Sequence, residues 1–304
     1  MKETTPAQRL KSSQVYLDDF PEWLRTDSTQ KHPTMIWPKS HGQMAFRPGE
    51  VTVWAGFNGS GKTLITGQVQ LGLIAQQERC AVFSLEMKPR RLLARQLRQF
   101  VGENFRDPRF QNHDAYLNKI VARMSEFTGD RLWIWDQFGD TNAETIIGAI
   151  LYCAKELAID QVFVDNLSKV VQGDDDYDGQ KWFIGVMCQI AMDQGIHIHV
   201  VHHLKKTGSI EAMPSFQDVK GSGTITDQPD NIILIHRNLK KERDLKLGKP
   251  VDHEEFDTML MVEKQRNADD IDKEMYALYY HAQSTQFLES VSGLPFTFDR
   301  GAAW

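Results

Sequence analysis

An α/β fold with a mostly parallel central sheet and helices on both faces is what this 304-residue sequence predicts. Two observations carry that expectation. Short apolar runs such as VTVWA, AVFS, QVFVD and NIILIH alternate with longer segments whose apolar residues recur at helical spacing. The runs are also nearly continuous in apolar character, as strands covered on both faces are, instead of alternating with polar residues.

Residues 1–40 are polar, with prolines at 6, 21, 33 and 38, and carry one aromatic patch, VYLDDFPEWL. They read as an arm whose patch docks on something, and residues 41–304 as one domain. A strand at 50–55 leads into the helix KTLITGQVQLGLIAQQ, followed by a strand at 80–86 and the helix PRRLLARQLRQFV. A helical stretch near 111–127 precedes a strand at 131–136. TNAETIIGAILYCAKEL opens with Thr141 and Glu144 at capping-box spacing, and its buried stripe is Ile146, Ile147, Ile150, Leu151 and Ala154. A strand at 161–165, a helix ended by Gly195, strands IHIHVVHH and NIILIH, and a pair near 256–264 and 274–281 complete the order. In such sheets ligands bind at the carboxyl ends of the strands, and every candidate below is expected at such an end.

Between the first strand and first helix stands GFNGSGKT, residues 56–63, which matches G-x-x-x-x-G-K-[ST]. Glycines let backbone approach an anion, and the helix N-terminus adds its N–H groups. The loop Gly56, Asn58, Gly59, Ser60, Gly61, Lys62, Thr63 and Leu64 is therefore expected to hold a nucleoside triphosphate, ATP or another. Lys62 would reach the outer phosphates and the Thr63 hydroxyl would sit on Mg²⁺. Asp165 ends QVFVD, where a carboxylate holds the magnesium shell opposite such a loop. Glu86 ends AVFSLE, where a carboxylate can orient an attacking water. His203 ends the strand holding His197, His199 and His202; it is either a donor to the terminal phosphate or a strand residue like the others. Strand alternation argues against a metal cluster of the four. Lys264 and Arg266, in VEKQRN, can stabilise charge on a transferring phosphoryl group, in their own site or in a neighbour's, or form a solvated pair.

A net charge of −6 gives no global attraction to nucleic acid, so any contact must come from a local basic cluster. The long segment HLKKTGSIEAMPSFQDVKGSGTITD supplies one: Lys205, Lys206, Lys220 and the turn Gly221, Ser222, Gly223 can grip phosphates without reading sequence. RNLKKERDLKLGKP mixes both signs and reads as a solvated hairpin or insertion, and GDDDYDG as a surface turn. Cys80, Cys153 and Cys188 lack metal-ligand spacing and are expected to be buried free thiols, as in a cytoplasmic protein. No long apolar run or leader predicts a membrane span or secretion.

Taken in order, FRPGEVTVWAGFNGSGKT, FSLEM, VFVDNL, VVHHLKK, KGSGTITDQPDNIILIHRN and VEKQRN, from about 46 to 267, resemble the RecA-fold motor domain of DnaB-like hexameric replicative helicases, of the Twinkle and phage primase–helicase type. The resemblance implies a RecA-like P-loop NTPase that hydrolyses ATP with Mg²⁺ and travels 5′ to 3′ on single-stranded DNA as a ring, expected to be a hexamer. It implies Glu86 as catalytic carboxylate, Asp165 as the magnesium-associated acid, His203 as sensor of the terminal phosphate, and Arg266 as a finger reaching the adjacent subunit's site with Lys264 beside it. It puts Arg237 near the nucleotide base, and Lys205, Lys206 and the 221–223 turn in loops lining the channel. A separate primase, polymerase or loader are the partners it suggests, in a cytoplasm that is the host's if the source is a phage. Two departures matter: no zinc-ligand set, acidic primase signature or helical N-terminal domain precedes the motor, so priming is not expected, and the 238–255 insertion is longer than usual. The alternatives are a RecA- or RadA-type recombination ATPase forming filaments, and a non-motor DNA-binding protein switched by ATP.

Overall fold

The structure is a computed structural model describing residues 10–18, 20–22, 31–108, 113–137, 139, 141–171, 176–204, 211–219, 223–268 and 273–298. Its strands are β1 (Val51–Gly56), β2 (Cys80–Ser84), β3 (Leu132–Ile134), β4 (Gln161–Asp165), β5 (His197–His203), β6 (Asn231–Arg237), β7 (Thr258–Gln265), β8 (Met275–His281) and β9 (Gln286–Leu288). They form one nine-stranded sheet in the order β3-β2-β4-β5-β1-β6-β7-β8-β9. The strands from β3 to β6 in that order run parallel, and β7, β8 and β9 add an antiparallel edge. The helices are α1 (Gln14–Leu17), α2 (Lys62–Ala75), α3 (Pro89–Val101), α4 (Asp114–Thr128), α5 (Ala143–Glu156), α6 (Tyr177–Gln194), α7 (Gly223–Asp227) and α8 (Leu239–Lys246).

Side-chain alternation along β1 sorts the core into two layers. Val51, Val53 and Ala55 face α5 and α6, meeting Ile146, Ile150, Phe183 and Met187, while Trp54 faces the layer of Ile65, Val69, Leu92 and Met124 from α2, α3 and α4. Full burial of such side chains stabilises by about 1.5–3 kcal/mol each. The β5 histidines follow the same alternation. His199 accepts from Trp54 Nε1 (3.1 Å), lies 3.0 Å from Gln161 Oε1 and stacks on Phe163. His197 binds the Arg47 carbonyl and Thr52. Burial lowers His197 to about 3 and His199 well below the usual range, so both are neutral structural groups. Among the described residues no cluster of three or more His, Cys, Asp or Glu side chains is placed to hold a metal, and no helix is long and apolar enough to cross a membrane.

Several expectations need correction. The packed body starts before residue 41: Met35, Ile36 and Trp37, assigned to the arm, are fully buried, and Trp37 Nε1 donates to the Phe287 carbonyl at 2.9 Å. Of the aromatic patch, Asp19, Trp23 and Leu24 lie outside the described residues, whereas Val15, Tyr16, Leu17 and Phe20 are exposed. The α5 cap is Asn142, not Thr141; its side chain accepts from Thr145 N at 2.7 Å. The stripe facing the core is Ala143, Ile146, Ile150 and Cys153, with Ile147, Leu151 and Ala154 at its margins. The 238–255 stretch opens with helix α8, capped by Asn238, and its Lys241 is buried against Asp257 instead of solvated. In the acidic turn Asp176 caps α6, while 173–175 lie outside the described residues. Cys80 and Cys153 are buried and free, but Cys188 is only half-buried.

Candidate nucleotide-binding site

The loop between β1 and α2 needs its glycines for space and for handedness. A Cβ on Gly56 would stand 2.4 Å from Ser60 Oγ and 3.0 Å from the Ile235 carbonyl, so only glycine fits beside β6. Gly59 (φ 78°) and Gly61 (φ 91°) adopt left-handed backbone, and Gly61 serves as N-cap of α2. Asn58, Gly59, Gly61, Lys62, Thr63 and Leu64 line an open cavity of about 440 Å³.

Lys62 is buried, and its ammonium donates to the carbonyls of Gly56 (2.9 Å) and Phe57 (3.0 Å) and lies 3.2 Å from His203 Nδ1. Burial lowers its pKa to about 8, against the attraction of Asp165 and Glu86. Thr63 Oγ1 donates to Asp165 Oδ2 at 2.8 Å. Burial raises the Asp165 carboxyl to about 6; Glu86 raises it further, while the Thr63 hydroxyl, Lys62 and Arg95 lower it. A buried carboxylate beside a hydroxyl, held short of its usual acidity, is the hard-oxygen donor set that a divalent cation satisfies. Thr63 and Asp165 therefore fit Mg²⁺, which would neutralise charge on a triphosphate when bound.

Glu86 lies exposed two residues beyond β2, not within it, and its Oε1 accepts from Asn166 Nδ2 at 2.6 Å. The same nitrogen is 2.8 Å from His203 Nε2. Arg237, at the end of β6, donates to the Gly59 carbonyl (2.7 Å) and is paired with Glu242 of α8. Gly56, Asn58, Gly59, Ser60, Gly61, Lys62, Thr63, Leu64, Glu86, Asp165, His203 and Arg237 thus gather at one rim of the sheet.

Lys264 and Arg266 are not with them. Both follow β7 toward its carboxyl end, but β7 runs antiparallel, so that end lies beside Asn231 at the start of β6, on the opposite rim. There Arg266 pairs with Asp230 (3.0 Å) and donates to the carbonyls of Asp227 (2.9 Å) and Gln228 (3.2 Å). Lys264 donates to the carbonyls of Thr226 and Asp227, and burial lowers its pKa. The two cations thus hold the carbonyl end of α7, an arrangement the helix dipole favours.

Of the expected DNA contacts, Lys205, Lys206, Lys220, Gly221 and Ser222 lie outside the described residues, and Gly223 opens α7. The base of their segment is defined: Leu204 and Val219 form an antiparallel bridge, and Leu204 N donates to the Gly56 carbonyl at 3.3 Å.

Sequence reasoning missed two residues here. Asn166, 1% exposed, touches both Glu86 and His203, and nothing in its sequence position announces that. Arg95 of α3 lines the cavity with Glu86 and Asp165 and also lines a neighbouring cavity of about 370 Å³ together with Arg91, Arg98 and Arg106. Its signal was present: positions 91, 95 and 98 fall on one helix face.

The family described as DnaB-like helicase C-terminal domain matches residues 42–289. The DNA helicase/primase of Enterobacteria phage T3 is 27% identical over 120 residues, covering 37% of this chain and 21% of the phage protein. The chain thus matches about a fifth of that curated relative's length. Among solved structures, a DnaB-like replicative helicase, described with its interactions with primase, superposes with a TM-score of 0.71 at 13% identity, covering 92% of this chain and 67% of that one. A second solved structure, described as an ATPase domain, superposes with a TM-score of 0.75 at 13% identity, covering 92% of this chain and 99% of that one. Those two likenesses establish the fold, a RecA-like α/β architecture with a mostly parallel sheet, as expected from the sequence. With the family match running through all the strands from β1 to β9, this chain belongs to the DnaB-like helicase C-terminal domain family.

Proposed function

We propose that this chain is the ATP-hydrolysing motor of a replicative DNA helicase, working as a ring of copies, a hexamer, that moves 5′ to 3′ along single-stranded DNA. One observation carries the ring: the phosphate-binding group and the arginine suited to complete it stand on opposite rims of one sheet. A copy stacked head-to-tail on the next brings one rim to the other, and repetition about an axis closes a ring.

In this reading Lys62 and the loop backbone bind the triphosphate, and Thr63 and Asp165 hold its Mg²⁺. Glu86 accepts a proton from, and aims, the attacking water. His203 donates to the terminal phosphate, Arg237 borders the base, and Arg266 with Lys264 of the adjacent subunit stabilises charge on the transferring phosphoryl group. Lys205, Lys206, Lys220 and the 221–223 turn would grip the strand in the channel. The exposed Val15, Tyr16, Leu17 and Phe20 would dock on the neighbouring copy. A separate primase, polymerase or loader would complete the machine in the cytoplasm where replication takes place.

The test is electron microscopy with a non-hydrolysable ATP analogue, paired with unwinding of a forked duplex. Closed rings and ATP-dependent unwinding are expected. Helical filaments that exchange strands without unwinding would replace this reading with a recombinase, and nucleotide binding without DNA-stimulated turnover would replace it with a switch.

A further inference from the structure

We infer that Asn166 is a positioning residue that fixes the proton of His203 and the aim of Glu86 together, so that the carboxylate responsible for hydrolysis is tied to the group that feels the terminal phosphate. The inference rests on the hydrolase reading above and deepens it.

Asn166 Oδ1 accepts from Ser168 Oγ at 2.7 Å, which fixes the face of the amide. Its Nδ2 then has two hydrogens and no acceptor capacity. One goes to Glu86 Oε1 at 2.6 Å, and the other to His203 Nε2 at 2.8 Å. Turning the amide over would place its oxygen against the Glu86 carboxylate, acceptor against acceptor, so this orientation is the one the contacts allow. His203 Nε2 is therefore an acceptor, and in a neutral imidazole the proton must be on Nδ1.

That Nδ1–H faces the Lys62 ammonium across 3.2 Å, while Lys62 also donates to the carbonyls of Gly56 and Phe57. An oxygen of a terminal phosphate reaching this pair can accept from both, whereas a nucleoside diphosphate is one phosphate too short to meet them. The same amide that sets this tautomer holds one oxygen of Glu86, leaving Oε2 to meet water. Loss of the terminal phosphate disturbs His203, and Asn166 is the one-residue route from His203 to Glu86.

The experiment uses the full chain and measures Kd for ADP and for a non-hydrolysable ATP analogue, with Mg²⁺, and kcat and KM with single-stranded DNA. The variants are Asn166→Ala, the isosteric Asn166→Asp, His203→Ala, and the double variant of Asn166→Ala with His203→Ala. The wild type is expected to prefer the analogue over ADP. Asn166→Ala and His203→Ala each reduce that preference by ~10-fold, as expected for one charge-assisted hydrogen bond, and the double variant loses no more than either alone. Asn166→Ala lowers kcat by ~10-fold or more with KM within ~3-fold. Asn166→Asp, which accepts from His203 Nε2–H and sets an oxygen against the Glu86 carboxylate, upsets both contacts at once and loses the preference and kcat at least as far while its melting stays cooperative. If Asn166→Ala destabilises the fold, the isosteric variant decides. Wild-type preference and kcat in a folded variant, or losses that multiply in the double variant, would overturn the inference. Absence of DNA-stimulated hydrolysis in the wild type would sink the motor reading, while the binding preference and its dependence on Asn166 are still measured.

Discussion

Replacing Arg266 by alanine separates a site completed by a second copy from one that works alone. Gln265 pairs with Asn231 and Gly56 with Ile235, so four β6 residues at ~3.3 Å each put about 13 Å between Arg266 and the base of its own loop. A nucleotide held on that loop would lie beyond that base, and the guanidinium is held by Asp230, Asp227 and Gln228. Two unit charges ~15–20 Å apart in water interact by ~0.2–0.3 kcal/mol, and a Debye length of about 8 Å weakens even that. Acting only on its own site, Arg266→Ala would slow turnover less than ~1.5-fold. Acting across a seam, it removes a contribution of about 10³–10⁵. Steady-state hydrolysis with single-stranded DNA reads the difference, and mixing makes the test sharper. Glu86→Gln subunits have a sound arginine, and Arg266→Ala subunits have a sound carboxylate. Randomly mixed in equal amounts in a head-to-tail ring, about one quarter of seams pair a sound carboxylate with a sound arginine, so two inactive proteins regain activity together. Near wild-type turnover by Arg266→Ala alone would refute the reasoning outright.

Gly56→Ala sets a methyl 2.4 Å from Ser60 Oγ and 3.0 Å from the Ile235 carbonyl; triphosphate binding, followed by fluorescent-nucleotide titration, should weaken at least ~10-fold at a cost of ~1–3 kcal/mol in stability. Burial raises Glu78 from 4.5 to about 7, so the folded state binds that proton more tightly and loses stability as pH rises across this window. Glu78→Gln, which still accepts from Gln161, should melt higher than wild type at pH 8 by ~1–2 kcal/mol, discounted for its partial exposure, with the gain gone below pH ~4.5; an unchanged difference across pH would refute it. A chain starting at residue 32 should unfold as cooperatively as the full chain, whereas one starting at 42 loses Met35, Ile36 and Trp37 and should not, since a buried Trp alone is worth about 3–5 kcal/mol; equal denaturation curves would contradict that.

Why some of this was legible and some not is itself physical. Strands β1, β2, β4, β5 and β6 are buried on both faces and so announce themselves as apolar runs, and the loop at 56–63 is specified by local backbone demands that only glycine meets. Trp37 was hidden because the three apolar residues at 35–37 sit among prolines and polar residues, and only contacts with Phe287 and α2, far along the chain, bury them. Asn142 and Thr141 are both good caps, and sequence spacing favoured the one with Glu144 three residues on; backbone geometry chose its neighbour. Asn166 is legible only through partners 80 and 37 residues away, Glu86 and His203, that converge when β2, β4 and β5 lie side by side.

Arg266 marks the sharpest limit, because an apolar run shows where a strand ends but not which way the strand points. In the parallel part of the sheet a carboxyl end always means the ligand rim. β7 reverses, so its carboxyl end falls on the other rim, and two cations read as candidates for one site become a clamp on the carbonyl end of α7. That clamp has a consequence for the segment between β5 and α7. At its start, Leu204 is bonded to Gly56 next to His203 and Lys62; at its end, α7 is held by Lys264 and Arg266. In a head-to-tail ring one anchor belongs to a subunit's own nucleotide and the other to its neighbour's. In the proposed ring, the two described anchors of the segment, Leu204 and α7, would each stand against a different nucleotide, so hydrolysis at either one would move an end of it.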